Sequence, residues 1–532
     1  MTANKHRAFY EALTRHNYFP NQKTTIGELP PCLSTRRFTP EIAEQIANIP
    51  KGHNPDSKAR SKGYDLVEYT ATRYNNVPRV LSLVHPKAHA LLCQHINEHW
   101  DKLNHIENNE RSIIKPEYHE DGRYVIMGYG CAIEKIDTIH AKSFGKKFRV
   151  HTDISNCFNS IYSHSLSWAL VGFEEAKRKS GNQFQAEWFN QYDFHQRNTK
   201  RAETQGIPIG PTTSNVAVEA ILGKIDQQLV DAGFDFQRYI DDYECYCETR
   251  EEADKFILLL GKELAKYKLT LHLNKTKIFE LPHPHEDEWT IELKSALPSR
   301  LQHDSDAPKL SSAEALSFLN KAILLNKTTP DGSVLKYAIH IIVNYLQDNA
   351  APSVYSCVLN LAWHYPILIP FLDTLIDKAE LAPETYINNL NTIILENARQ
   401  SRSDGMCWPL HILRKNNLVP NEEIVTAILD SKDCVAITIL NSFIPDNGKI
   451  KAFANKIIDT DDLYEKDRYW LLLYQLFLNG DVKNAYKDKK VFEIMKSENV
   501  DFLPDESLSK AEQECDTLKV QEIFGDITEL VF

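Results

Sequence analysis

The chain has 532 residues, of which 42% are apolar, 10% aromatic and 25% charged, and a formal net charge of −12; this is the composition of a folded protein, not of a disordered or fibrous one. Ten cysteines, scattered from Cys32 to Cys515 without a CxxC pair, argue against a disulfide-stapled secreted scaffold and fit a cytoplasmic chain. The opening stretch MTANKHRAFYEALTRHNYF lacks the apolar core of a signal peptide, and no run of about 18 apolar residues occurs, so a membrane span is not expected.

An acidic chain is on average a poor match to a phosphate backbone, but this charge is unevenly spread. Lys plus Arg minus Asp plus Glu comes to +6 over residues 1–150, −6 over 151–300 and −12 over 301–532. The N-terminal region is therefore the part suited to nucleic acid.

In chain order, apolar alternation around VLSLV, FRVHTDI and YECYC predicts strands, and HALLCQHINEHW and EEADKFILLLGKELAKY carry helical periodicity, an α+β pattern. Residues 282–310 are rich in Pro, His and charge and read as a linker, which sets domains of 1–300 and 301–532. Beyond it the signals are helical. Ser311 and Glu314 form a capping box, and Val334, Tyr337, Ala338, Ile341, Ile342 and Tyr345 share one helix face. The C-terminal domain is thus expected to be an all-α array of helical pairs.

Three blocks combine residue types that core packing does not require. FRVHTDISNCFNSI ends a strand at Asp153 and turns through Ser155, Asn156, Cys157 and Phe158. TQGIPIGPTTSN offers Gly206 and Gly210 for close backbone approach before a helix start. RYIDDYECYC sets Asp241 and Asp242 between β-favouring residues, a hairpin turn. Adjacent aspartates repel each other unless a cation neutralises them. Mg²⁺ takes carboxylate and phosphate oxygens, and two ions about 4 Å apart can activate a hydroxyl and stabilise a leaving pyrophosphate. Asp153 and Asp241, meeting across a sheet, would bridge such a pair.

The order TDISNCF, QGIPIGP, YIDD and LTLHLNKTKI resembles motifs A to D of the reverse-transcriptase palm, and YTATRYNNVPRVLSLVHPKAHALLCQHI resembles the finger strands before it. The IGP variant of motif B, the run DISNCFNSIYSHSLSWAL and the helical C-terminal half resemble bacterial abortive-infection and defence-associated reverse transcriptases. The resemblance implies fingers and palm followed by an α-helical, HEAT-like repeat domain. It implies catalytic roles for Asp153, Asp241 and Asp242, with two Mg²⁺ ions, replaceable by Mn²⁺, on Asp153, Asp241 and the carbonyl of Ile154. It places Phe158 under the sugar as a deoxynucleotide selector, the amides of Asn156 and Cys157 toward the triphosphate and Gln205 near the nascent base pair. Arg79 would grip the triphosphate, and Lys275 (with Lys277 as the other option) would protonate pyrophosphate.

The function expected is an RNA-directed-type DNA polymerase in antiphage defence. Its partners would be deoxynucleoside triphosphates and nucleic acid, a DNA product with or without an RNA template, and further copies of the chain in a homo-oligomer. Some relatives start synthesis, without a template, on a tyrosine of the protein, which makes Tyr10 and Tyr18 candidate priming residues. The alternatives are a reverse transcriptase copying one specific non-coding RNA, or an α-repeat scaffold whose polymerase fold acts as a sensor.

Overall fold

All three predicted strands form in the computed structural model, which describes residues 3–20, 27–50, 59–73, 76–113, 117–118, 124–125, 139–303, 309–329, 333–505 and 514. In chain order the strands are β1 (Leu66–Thr72), β2 (Pro78–Val84), β3 (Glu117–Tyr118), β4 (Tyr124–Val125), β5 (Phe148–Asp153), β6 (Phe236–Tyr239), β7 (Asp242–Cys247) and β8 (Lys277–Glu280). β1 and β2 make an antiparallel hairpin, and β3 pairs with β4. The other four form an antiparallel sheet in the order β6-β7-β5-β8.

That sheet, the helices Pro86–Glu98, Thr212–Asp231 and Arg250–Lys266, and the N-terminal helix Ala3–Glu11 share one apolar core, which joins Phe9, Trp100, Val150, Ile221, Leu229, Cys245 and Phe256. Helix Arg250–Lys266 starts cleanly because the Thr249 side chain accepts from the Glu252 amide, satisfying one of the donors a helix N-terminus leaves free.

A second core does not respect the expected boundary near residue 300. Tyr18, Phe19, Phe38, Val67, Tyr69, Leu81 and Leu83 from the N-terminal region are buried together with Trp408, Leu440, Trp470 and Phe502. Trp470 donates its indole N–H to the Leu83 carbonyl at 3.2 Å. The exposed edge of β1 is closed by the C-terminal helices: the Thr70 amide donates to Ser403 Oγ at 2.7 Å and the Thr72 amide to Asp404 at 2.6 Å. An open strand edge leaves unpaired backbone groups, and these side chains take the place of a third strand. The hairpin's apolar face, too narrow to bury itself, finds its cover in the helices. Arg60 completes the junction with a two-pronged ion pair to Asp467, both side chains buried.

Two further expectations change in detail. The stretch 282–310 is not simply a linker, since it contains helices Glu288–Ser295 and Ser299–His303. Helix Ser333–Tyr345 forms, but its fully buried residues are Val334, Leu335, Ala338, Ile339, Ile342 and Val343, with Tyr337, Ile341 and Tyr345 only partly covered. The period was legible, but the stripe is rotated toward Leu335 and Ile339, because neighbours on both sides cover that flank. The Ser311–Glu314 capping box is present as read, closed in both directions. Among the described residues from 309 onward the elements are helices, apart from one isolated bridge between Leu310 and Leu346.

Candidate active site

The centre of the sheet brings motifs A and C together by hydrogen-bond register. β5 and β7 pair so that Asp153 faces Asp242, and the hairpin β6–β7 closes through a two-residue turn, Ile240–Asp241, between paired Tyr239 and Asp242. Beyond the ladder, the Ile154 amide donates to the Asp241 carbonyl at 3.1 Å. The chain segments that hold the three aspartates are therefore fastened to one another by backbone bonds.

The turn is strained. Ile240 has φ of +54°, a left-handed conformation that is an outlier for a β-branched residue. A buried network under the turn holds it there. Arg238, fully buried, donates to the Ile240 carbonyl at 2.7 Å, to both oxygens of Glu219 at 2.7 and 2.8 Å, and to Asp226 at 2.7 to 3.1 Å. Tyr243 Oη and Asn109 Nδ2 satisfy Asp226 further, at 3.0 and 2.6 Å. These residues escaped the sequence reading. The signal was there: Arg238 stands three residues before the aspartate pair in a β-favouring run, and Glu219 and Asp226, seven apart, interrupt one face of a largely apolar helix.

Burial, then Asp153, then Asp242 push the Asp241 carboxyl up to about 6, and burial followed by Asp153 pushes Asp242 up to about 6 as well. Asp153 is buried, and its Oδ1 has no hydrogen-bond partner, while its other oxygen is paired with the Lys275 ammonium. Partial burial pulls Lys275 down, but Asp153, Asp242 and Asp241 outweigh it and hold the ammonium above its ordinary value. The 3₁₀ turn Leu273–Lys275 delivers that lysine: the His272 amide donates to the Asp153 carbonyl at 2.7 Å, and the Lys275 amide to the His272 carbonyl at 3.1 Å.

Three carboxylates with one lysine make a centre short of positive charge. Among the described residues no group of three His, Cys, Asp or Glu side chains closes into a ready-made metal cage. The buried, unsatisfied oxygen of Asp153 and the upward shifts of Asp241 and Asp242 nevertheless fit a hard divalent cation of the kind that completes its shell with substrate phosphates and water.

The other expected residues are distributed unevenly. Asn156, with φ of +48°, turns the chain out of β5 into the short helix Cys157–Ser160. Cys157 is buried in the palm core, and that burial pushes its thiol up. Phe158 lies partly buried on the same core, its carbonyl accepting from the Ile207 amide at 3.0 Å. Gln205 is exposed and donates to the carbonyls of Asn159 and Ser160 at 3.2 and 3.1 Å, which ties motif B to the end of motif A. Gly210, at φ of +129°, is required where it stands: a Cβ there would lie 2.4 Å from Pro20 Cγ.

Two expectations are corrected. Arg79 sits on β2 opposite Ala71 and pairs with Glu28 at 2.5 Å, at a small cavity shared with Lys336, Asp404 and Trp408 of the helical region. Strand alternation turns it to the same side as Leu81 and Leu83, toward the C-terminal helices. Tyr10 and Tyr18 are buried, and burial drives both hydroxyls far above their ordinary range. Tyr18 stacks on His89 with centroids 3.8 Å apart and donates to the Val84 carbonyl at 2.6 Å. A priming hydroxyl has to meet a nucleotide, and neither of these can do so in this fold.

A four-stranded antiparallel sheet with an aspartate at one strand end, an aspartate pair in the facing hairpin turn and a lysine beside them is the arrangement a palm-type nucleotidyltransferase would need at its centre. Residues 80–314 match the family model of reverse transcriptase (RNA-dependent DNA polymerase). Its enzyme class is therefore nucleotidyltransferase, RNA-directed DNA polymerase, with nucleic acid and deoxynucleoside triphosphates as the substrates of that class. A comparison with curated proteins finds no match. Among solved structures, a telomerase from Candida albicans in complex with a fragment of telomeric RNA is similar over 71% of this chain and 67% of its own, at 11% identity and a TM-score of 0.27. A superposition that loose bears on neither fold nor function. Among the described residues no helix is long and apolar enough to cross a membrane.

Proposed function

We propose that this chain is a Mg²⁺-dependent DNA polymerase of reverse-transcriptase type whose catalytic carboxylates are Asp153, Asp241 and Asp242. The observation that carries this reading is the backbone-fastened meeting of Asp153 with Asp241 and Asp242 around an unsatisfied carboxylate oxygen. Asp153 and Asp241, with the carbonyl of Ile154, would hold the cations, which when bound lower the charge on the triphosphate and the attacking hydroxyl. Lys275, paired with Asp153, would serve as proton donor to departing pyrophosphate, and its raised pKa would keep it charged for that step. Phe158, at the base of the motif A turn, would press on a ribose 2′-hydroxyl and so select deoxynucleotides.

The helical C-terminal half, the IGP variant of motif B and the spacing of the motifs support a place among defence-associated reverse transcriptases, with the helices as a HEAT-like repeat that assembles copies of the chain. The burial of Tyr10 and Tyr18 keeps both hydroxyls away from any nucleotide, which supports a nucleic-acid primer over either of these tyrosines.

The test is incorporation of labelled deoxynucleotides by the purified chain in Mg²⁺, comparing wild type with Asp153→Asn and Asp241→Asn, followed by sequencing of co-purified nucleic acid. Loss of incorporation in both variants is the expected result; retained incorporation would end the proposal. The defence role is tested separately, by plating phage on cells carrying wild type or Asp241→Asn.

A further inference from the structure

Beside the candidate active site lies a groove of about 620 Å³ lined by Tyr162, Trp168, Phe173, Lys177, Gln205 and Lys268, with Ala265 and Lys266 completing the wall. We propose that it is a stacking site for an unpaired stretch of nucleic acid, one or two nucleotides long, running next to the polymerase centre. The inference rests on the polymerase reading of the palm and says where a single strand lies.

The lining has the chemistry such a strand requires. Among the described residues its charged members are all lysines, in a chain whose net charge is −12. Lys266 shares its charge with Glu263 at 2.5 Å, which leaves Lys177 and Lys268 as the principal phosphate partners. The aromatic rings supply the rest. Trp168 is nearly buried and forms a fixed floor; Tyr162 meets it at 5.5 Å between centroids and Phe173 at 5.1 Å. Phe173 is 49% exposed, a large apolar ring kept in water. Gly172, at φ of +87°, is the bend that brings Phe173 back over Trp168.

Lys177 stands one helical turn beyond Phe173, its ammonium 5.4 Å from the Trp168 centroid and 5.5 Å from that of Phe173. Aromatic faces interleaved with lysines bind single strands with little sequence preference, because every base has a π face and every linkage a phosphate. A cavity of this size suits a ligand of one or two nucleotides. Gln205 fixes its position along the strand's path. Its amide, held on the carbonyls of Asn159 and Ser160, forms one wall of the groove and ends the motif A helix that carries Phe158. Gln205 thereby links the groove to the segment that carries Asp153 and Phe158.

The experiment uses the full-length chain in EDTA, so that no turnover occurs. A fluorescein-labelled 15-nucleotide oligo(dT) is titrated by anisotropy against wild type and against Phe173→Ala with Lys268→Glu, two exposed positions whose substitution leaves the fold intact; melting temperature verifies this. A 5-iodouracil oligonucleotide is cross-linked in parallel and the adducts mapped by mass spectrometry. Binding at least ten-fold weaker in the double variant, with wild-type adducts on the segment from Tyr162 to Lys177, is the expected outcome. Affinity within two-fold of wild type, adducts confined elsewhere, or equal protection by a mononucleoside triphosphate overturns the proposal. Incorporation by Asp241→Asn reports on the polymerase centre independently, so the groove and the catalytic reading can fail separately.

Discussion

Arg238 donates to the carbonyl of Ile240, two residues further along its own hairpin, at 2.7 Å, while its remaining nitrogens hold Glu219 and Asp226. A fully buried cation thus supports the left-handed residue that aims Asp241. Removing one partner of a buried ion cluster costs about 3–5 kcal/mol, because the remaining charges are stranded. Arg238→Met should destabilise the chain by that order, read as a drop in the urea midpoint. Adding Glu219→Gln and Asp226→Asn should restore much of the stability but not the incorporation rate, since the turn has lost its support. Full recovery of rate in the triple variant would show that Arg238 is merely structural.

Asp241 and Asp242 titrate near 6, above the ordinary 3.8, so the folded chain binds more protons than the unfolded one between about pH 4 and 6, and stability falls as pH rises through that window. Asp241→Asn removes one of the repelling charges. It should raise the melting temperature at pH 8 in EDTA, by an amount corresponding to about 1–2 kcal/mol, and change it little at pH 4, where the wild-type carboxyl is already protonated. Scanning calorimetry at the two pH values decides; an equal shift at both would rule out the electrostatic cause.

Added Mg²⁺ should stabilise wild type at pH 8 in a concentration-dependent way, since a ligand that binds only the folded state raises its stability, and the same addition at pH 5 should do less because protons compete for Asp241 and Asp242. Asp153→Asn should abolish the Mg²⁺ response at either pH.

Lys275 is the cation paired with Asp153. Lys275→Met should lower the melting temperature in EDTA at pH 8, enlarge the Mg²⁺-induced rise, and slow incorporation, because a competitor for Asp153 and a proton donor are lost together. Thermal shift against Mg²⁺ concentration, alongside single-turnover kinetics, separates the two effects.

A fragment ending at residue 300 loses Trp408, Trp470 and Phe502 from the core that holds Tyr18, Phe19, Tyr69 and Leu83. Truncating a single buried aromatic side chain costs about 3–5 kcal/mol, and here several go at once. The fragment should bind a hydrophobic dye and aggregate, whereas the full chain stays dispersed. A well-dispersed, cooperatively melting fragment would refute the shared core.

The palm was legible in local sequence patterns. Strands FRVHTDI and YECYC, the aspartates at a strand end and in a hairpin turn, the glycines of motif B and the Ser311–Glu314 cap are local patterns, each set by a handful of neighbouring residues. What those patterns meet is set by long-range packing. Whether Arg79 faces a triphosphate or Glu28 depends on which side of a two-stranded hairpin the C-terminal helices cover, and whether Tyr10 and Tyr18 are exposed depends on the same packing. The charges that hold Ile240 come from a helix and a strand 12 to 19 residues apart in the chain, and the shared core joins the region around Tyr18 to Trp470 and Phe502 near the far end of the described chain. Contacts of that span leave no periodicity to read, because their partners are selected by shape and charge once the chain has folded.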